Sequence, residues 1–534
     1  MAHETKVLVI DGYIDDPASL GVPPYISPMA RAVFGAALDA GACAEYVTVD
    51  MIRKGLALPD ADVTAVLSGN TVPGKYLRSM PMSLKELAAL APRLGGFRII
   101  GGSAASSRIS EGFDLAATRD LAASVYDAVS GRGASDRLRS LGEWNEWMVR
   151  GAEAVRSHPD FPMPLIAEVE TYRGCHRHLS GGCSFCVEPL KGRPLARAPG
   201  DVIAEASRLR ALGVRNLRVG GQTCIVSYGA DEGEVPRPDP GTVRELFEGL
   251  RALGFEVLHV DNANPAVIST HPEESERAMR SIAECCTPGN VLALGLESAD
   301  PEVRGRNNLN SSAEQAMDAV RAINRIGRDR GANGMPNMLP GLNFVCGLDG
   351  ETASTYKANM DLLRSMLSEG LLLRRINIRQ VMPSRREFRA GADQRSFRRF
   401  KEAVRGEIDR EMLARTVPVG TVLRGVYMEV RDGNSTFGRQ IGSYPLLVGV
   451  PYKMETEEMC DVLVTGHGFR SVTGVGFPFD VNSMPLSAIE ALPGIGRKRA
   501  ARIVTKRPYA SMAELAAALD DPAVADGLEG IARF

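Results

Sequence analysis

Thr171–Cys186 reads TYRGCHRHLSGGCSFC and places Cys175, Cys183 and Cys186 within twelve residues. Three thiols cannot all pair in disulfides, and they are one short of a closed four-thiolate zinc site. A [4Fe–4S] cube takes four ligands, so three protein thiolates leave one iron open to something that is not protein. Zinc completed by His176 or His178 is an alternative, although their spacing to the cysteines matches no zinc knuckle. A cluster that only carries electrons is another. Both histidines read more simply as loop residues.

Outward from this loop, strands and helices alternate. LIAEVETYRG leads into the cysteines, and VRNLRVGGQ, FEVLHVDNANP, NVLALGLES, PGLNFVCGL and LRRINIRQVM follow, with helical stretches such as PGDVIAEASRLRALG between them. Six strand–helix units over residues 164–415 predict a partial (β/α)6 TIM-like barrel, because right-handed crossovers curl such a series. Upstream, KVLVIDGY, AEYVTVD, VTAVLSG and FRIIGGSAAS predict an open α/β sheet over residues 1–130. Residues 131–163 read as a polar helical connector. Past residue 417 the period shortens, and Val-rich runs between Gly and Asn turns predict a small antiparallel β-barrel over 417–478. Residues 483–534 return to helices.

The chain has 534 residues, 44% apolar and 24% charged, with a net charge of −2. That balance is globular, and nucleic-acid affinity would have to come from local patches. No apolar run reaches bilayer length and the N-terminus lacks a signal pattern, so a cytoplasmic protein without membrane contact is expected. Nine cysteines in this length form no disulfide framework. The six outside the loop read as structural thiols, with Cys224 the least certain because it follows a glycine pair.

The strand, the three cysteines and the aromatic before the last of them resemble the radical S-adenosylmethionine (SAM) superfamily. There the open iron chelates SAM, and one electron cleaves the sulfonium to give a radical that abstracts hydrogen from substrate. The gap of seven residues between Cys175 and Cys183 departs from the usual three. Three later segments support the resemblance. RVGGQT (218–223) stands where the family carries a Gly-Gly-Glu-like segment, with Gln222 in place of the acid. ALGLESADPEV (293–303) resembles its strand-four segment, and NFVCGLDGET (343–352) its strand-five turn. The resemblance implies a [4Fe–4S] cluster on Cys175, Cys183 and Cys186, and SAM held by Gly220, Gly221, Gln222, Glu297, Ser298 and Asn343. It also implies a reductant partner such as ferredoxin or flavodoxin.

The flanking segments add expectations about substrate. The N-terminal unit resembles the cobalamin-binding-like domain of many family members. No histidine lies between residues 4 and 157, so a docking or gating role is preferred, although a corrinoid without a histidine ligand stays open. The β segment resembles the TRAM barrel of tRNA methylthiotransferases, with Arg424, Arg431, Arg439, Gln440 and Tyr444 as RNA contacts. ALPGIGRKRAARIV (491–504) resembles a helix-hairpin-helix motif. Gly494 and Gly496 would offer backbone N–H groups, and Arg497, Lys498 and Arg499 charge, to RNA or DNA phosphates. This order of domains resembles that of an archaeal radical SAM group named for that motif. The expected activity is C–H modification, in RNA first. A small-molecule or protein substrate is an alternative, and a nucleic-acid-binding protein with a structural or sensing cluster is another. Oligomeric state is left open.

Overall fold

The computed structural model describes residues 4–14, 21–69, 79–133, 135–382, 385–388 and 393–534. The chain divides into two compact units. One comprises Met1–Gly181, Val187–Asn262 and Glu273–Cys286; the other comprises Gly182–Cys186, Ala263–Pro272 and Thr287–Phe534. The division falls inside the region predicted as one barrel, and inside the cysteine loop itself.

The first unit opens with a parallel sheet of β1 (Lys6–Asp11), β2 (Cys43–Thr48), β3 (Val63–Leu67), β4 (Phe97–Gly101) and β5 (Leu115–Ala117). Its order is β2-β1-β3-β4-β5, a doubly wound arrangement. All five residues of β3 are buried, as continuous apolar runs require when helices cover both faces. Ser27 caps the helix Pro28–Asp39 by accepting from the Met29 N–H, and proline at its first turn costs no hydrogen bond.

The segment read as a connector is instead part of this packing. Its helix Leu141–Arg150 crosses Pro28–Asp39 so closely that a Cβ on Gly35 would lie 1.9 Å from the Trp147 carbonyl oxygen. Trp144 and Trp147 are fully buried there. Polar composition misled because half of this helix faces solvent while its two tryptophans carry the contact.

A second parallel sheet in this unit has the order β8-β7-β6, from β6 (Ile166–Glu170), β7 (Asn216–Gly220) and β8 (Val257–Val260). The two-residue strand Tyr25–Ile26 extends it alongside β6. Arg31 and Arg197 both pair with Glu205, at 2.8 and 2.5 Å and fully buried, which fastens the first helix to the helix Pro199–Leu212.

In the second unit β9 (Asn290–Glu297), β10 (Met338–Cys346) and β11 (Arg375–Gln380) form a parallel sheet in sequence order. All six predicted strands of the series are therefore present, three in each unit. A closed barrel follows from β12 (Val422–Asp432), β13 (Ser435–Gln440), β14 (Leu446–Val450), β15 (Met459–His467) and β16 (Ser471–Phe477). Its Val426, Val448 and Val462 share a core with Val291 and Leu339 of the three-stranded sheet. Short helices Leu486–Glu490, Arg497–Thr505, Met512–Ala518 and Pro522–Asp526 close the chain around Ile489, Ile503 and Leu515.

Candidate cofactor site

In the first unit, β6 runs through Thr171 into Gly174, whose φ of +92° favours glycine. A Cβ there would stand 2.7 Å from the Gly192 carbonyl oxygen. The loop then folds into successive turns. His178 N–H donates to the Cys175 carbonyl at 3.0 Å, Gly181 N–H to the His178 carbonyl at 3.4 Å, and Ser180 Oγ to the Arg177 carbonyl. The extra residues thus form a compact knot. Arg177 N–H donates to Cys175 Sγ at 3.4 Å. Burial pushes the Cys175 thiol up, with the Arg177 N–H and charge opposing. His176 is held below its usual range by burial and by His178, and its ring lies edge-on to Tyr172.

Gly220 and Gly221 end β7 beside two acids of β6. A Cβ on Gly220 would lie 2.7 Å from the Glu168 carboxylate, and one on Gly221, at φ +77°, 2.8 Å from Glu170 Cγ. Gln222 does not present its side chain. It is fully buried, with Nε2 donating to the Asp261 carbonyl at 2.8 Å and Oε1 accepting from Thr171 at 3.3 Å. The substitution of acid by amide suits that interior position. Glu170 is the residue that sequence reasoning missed. Burial would raise its carboxyl, yet Arg173, Arg139 and Lys191 together hold it below the usual range. Its place at the C-terminal end of a barrel-type strand was the available signal. Cys224 is buried, with its backbone N–H and carbonyl both bonded to the Tyr172 hydroxyl.

The second unit holds the other two cysteines. Ser184 donates through its N–H to the Asn307 carbonyl and through its hydroxyl to Asn307 Oδ1, both at 3.0 Å. Asn308 donates to the Gly182 carbonyl at 2.9 Å, and Arg385 to the Cys183 and Cys186 carbonyls at 3.2 and 3.4 Å. Cys183 and Phe185 pack on Val303, Leu309 and Leu348. Asn307 is fully buried and also donates to the Val303 and Asp349 carbonyls.

Glu297 ends β9 at a bulge, with φ +69°. A non-glycine residue in this region stores strain of the kind found at functional sites. Burial raises its carboxyl to about 8, with Arg379 opposing. Ser298 is buried, and its Oγ accepts from the Asp300 N–H at 3.2 Å. Asp300 in turn caps the helix Pro301–Arg306. Asn343 on β10 accepts from Asn377 of β11 at 3.3 Å.

Several expected nucleic-acid contacts are already engaged. Arg439 is buried against Glu429 at 2.6 Å, Gln440 donates to the Asn333 carbonyl, Arg424 pairs with Asp461, and Arg431 with Glu455. Tyr444 lies under the Arg375 guanidinium at 3.8 Å. In the terminal helices Gly494 (φ +75°) and Gly496 precede Arg497–Thr505, with Arg497 and Lys498 exposed. The sequence there has no acid nearby, but the fold brings Asp520 to 2.5 Å from Arg499 and 3.5 Å from Arg502.

All nine cysteines are thiols. Among the described residues no three His, Cys, Asp or Glu side chains already converge as metal ligands. The donor set nevertheless fits an iron–sulfur cluster: Cys175, Cys183 and Cys186 are all partly exposed thiols, the ligand type that such clusters take. No helix of the described residues is long and apolar enough to cross a membrane.

The family model described as the radical SAM superfamily matches residues 169–363. An uncharacterised protein of Methanocaldococcus jannaschii, MJ0274, is 40% identical over 88% of this chain and 93% of its own. An uncharacterised protein of Archaeoglobus fulgidus is 39% identical over 96% and 97%. The tRNA-2-methylthio-N(6)-dimethylallyladenosine synthase of Mycolicibacterium vanbaalenii is 28% identical over 40% of this chain and 41% of its own. Among solved structures, the radical SAM methyltransferase TsrM of Kitasatospora setae aligns with 80% of this chain and 79% of its own at 14% identity. Its TM-score of 0.48 is too low to speak to fold or activity. The chain belongs to the radical SAM superfamily, an enzyme family whose cofactors are a [4Fe–4S] cluster and SAM.

Proposed function

We propose that this enzyme modifies a C–H bond of RNA, with Cys175, Cys183 and Cys186 as the cluster ligands. Bound there, the cluster supplies the electron for reductive cleavage of SAM. The residues of the chain do the positioning. The backbone at Gly220 and Gly221 is read as a contact to the SAM methionyl group, and Glu297 as a carboxylate for its ammonium. Ser298 shapes the turn and Asn343 offers its amide from β10, while the Gln222 side chain braces the loop from within.

The observation that carries this reading is a mechanical link. Glu297 and Ser298 launch the helix Pro301–Arg306, and Asn307 at its end grips Ser184 between the two later cysteines. The turn read as a SAM contact and the thiolate pair are thereby held on one short rigid piece. RNA is favoured by the partial similarity to tRNA-modifying synthases and by exposed basic residues such as Arg497 and Lys498 in the terminal hairpin, read as helix-hairpin-helix. Methylthiolation needs a second sulfur source, for which the N-terminal sheet has only Cys43. Methylation or another C–H change is therefore the reading, with that sheet as a docking or gating module.

Anaerobic reconstitution with SAM, a reductant and RNA tests this. The wild type should form 5′-deoxyadenosine, and Cys186→Ala should lose both the visible cluster absorbance and that product. A Cys186→Ala protein that still cleaves SAM would overturn the ligand assignment. RNA from a deletion strain lacking no modification, read by mass spectrometry, would overturn the substrate.

A further inference from the structure

The turn 220–224 that leaves β7 is read above as a contact to SAM, and a turn is only as precise as the groups that hold it. One hydroxyl holds its far end. Tyr172 is fully buried, and its phenol oxygen donates to the Cys224 carbonyl at 2.9 Å, accepts from the Cys224 N–H at 2.8 Å and lies 2.9 Å from Thr223 Oγ1. A phenol has one proton and two lone pairs, so these contacts use it completely, with the Thr223 hydroxyl as donor in the third. Burial pushes the phenol well above its usual range, and the proton that binds the Cys224 carbonyl therefore stays in place.

The other side of the turn is held from β8. Asn262 Nδ2 donates to the Gln222 carbonyl at 3.1 Å, and the Asn262 carbonyl accepts from the Ile225 N–H at 2.9 Å. Asn262 adopts φ +59°, a left-handed conformation that asparagine enters more readily than most residues. Its own N–H donates to the Asp261 carboxylate at 2.8 Å, and the other oxygen of that carboxylate accepts from Arg218 at 2.7 Å. The carbonyls of Gln222 and Cys224 are thus each bound by a side chain from a neighbouring strand end.

Tyr172 also stands three residues before Cys175, on the stretch that enters the cysteine loop. Core packing asks a buried phenol to find one partner, as Tyr228 does with the Arg197 carbonyl at 2.7 Å. It does not ask for three on a single turn. We propose that Tyr172, with Asn262 opposite, is a positioning residue for SAM: its hydroxyl fixes the backbone of residues 220–222 relative to the cysteine loop, so that the methionyl end of SAM is received by a preformed turn. The inference rests on the reading of Gly220 and Gly221 as a SAM contact and adds what aligns that contact. Both residues act through the backbone of the turn.

Calorimetric titration of the cluster-loaded protein with SAM and, separately, with 5′-methylthioadenosine tests this. The second compound keeps the adenosine and lacks the ammonium and carboxylate. Tyr172→Phe keeps the ring and removes only the hydroxyl. It should bind SAM about tenfold more weakly, as a turn that is competent a tenth of the time does. Its affinity for 5′-methylthioadenosine and its iron per chain should equal the wild type's. Asn262→Gly keeps the left-handed backbone, loses the amide and reads the same role away from the buried phenol. It should show the same selective loss, about fivefold, the worth of one hydrogen bond. Gly221→Ala puts a Cβ 2.8 Å from Glu170 Cγ, checks the underlying reading and should weaken SAM binding by roughly tenfold or more. Loss of SAM affinity in Gly221→Ala alone, with Tyr172→Phe and Asn262→Gly binding as wild type, would overturn the positioning role and leave the SAM reading standing. Wild-type binding in all three would overturn both. Equal weakening toward the two compounds, or loss of iron in Tyr172→Phe, would make the hydroxyl a support of the whole fold and overturn its role toward SAM.

Discussion

The two halves of the cysteine loop are built by different means. Cys175 sits on backbone geometry: a glycine at φ +92°, a carbonyl that no Cβ could approach, and turns closed by main-chain hydrogen bonds. Cys183 and Cys186 sit on side chains from far along the sequence, Asn307, Asn308 and Arg385. A loop held by its own backbone tolerates insertions that keep its ends fixed, which explains how seven residues replace a shorter gap. A loop held by remote side chains tolerates little, and the later pair keeps a tight two-residue spacing.

That contrast is tested most strongly at Asn307. Asn307→Ala removes donors to the Val303 and Asp349 carbonyls and an acceptor for Ser184, the first buried and the other two part-buried. Leaving such groups unmade costs about 3 kcal/mol in sum. Denaturant unfolding should show that loss, together with reduced iron per chain. Full stability and full iron content in the variant would mean that the later pair is self-supporting, like the first. Gly174→Ala should cost about 2 kcal/mol from strain at positive φ and the approach to the Gly192 carbonyl. Removing a side chain from the same half should do far less. His176→Ala, which loses an edge-on contact with Tyr172, is expected to change stability by about 0.5–1 kcal/mol and to keep its iron. If iron is lost instead, the histidine is closer to the cluster than the turns suggest.

The same division governs what could be read from the sequence. Strands rich in apolar and β-branched residues, such as LIAEVE and VLALGLE, announced themselves, and all six of the series formed where expected. Gly220 and Gly221 were legible through the resemblance of RVGGQT, and the close approach of Glu168 and Glu170 shows why glycine stands there. What stayed hidden were partners set by tertiary folding. The helix holding Trp144 looked like a polar connector, because its burial depends on a crossing at Gly35 more than a hundred residues earlier. Asn307 and Arg385 carry no local pattern. The terminal arginines looked unopposed because Asp520 is distant in sequence but adjacent in space. Pairing with Glu429 of β12 likewise buried Arg439 of β13, where the resemblance to the TRAM barrel implied an RNA contact.

Glu297 offers the finest test of the side-chain-built half. Its carboxyl is raised to about 8 by burial, so at pH 7 it carries a proton in the absence of a cation. A SAM ammonium at this site favours the ionised form, and binding must then release that proton. The sign follows: affinity for SAM rises with pH up to about 8 and levels off above it, falling about tenfold for each unit below. Glu297→Gln cannot release a proton, so its SAM affinity should be weaker at pH 8 and should lack this component of the slope. Calorimetry of SAM binding to the cluster-loaded protein at pH 6, 7 and 8, in buffers of differing ionisation enthalpy, counts the protons directly. Equal proton release in wild type and Glu297→Gln would remove Glu297 from the SAM site. The strained turn at φ +69° would then serve only to launch the helix that holds Asn307.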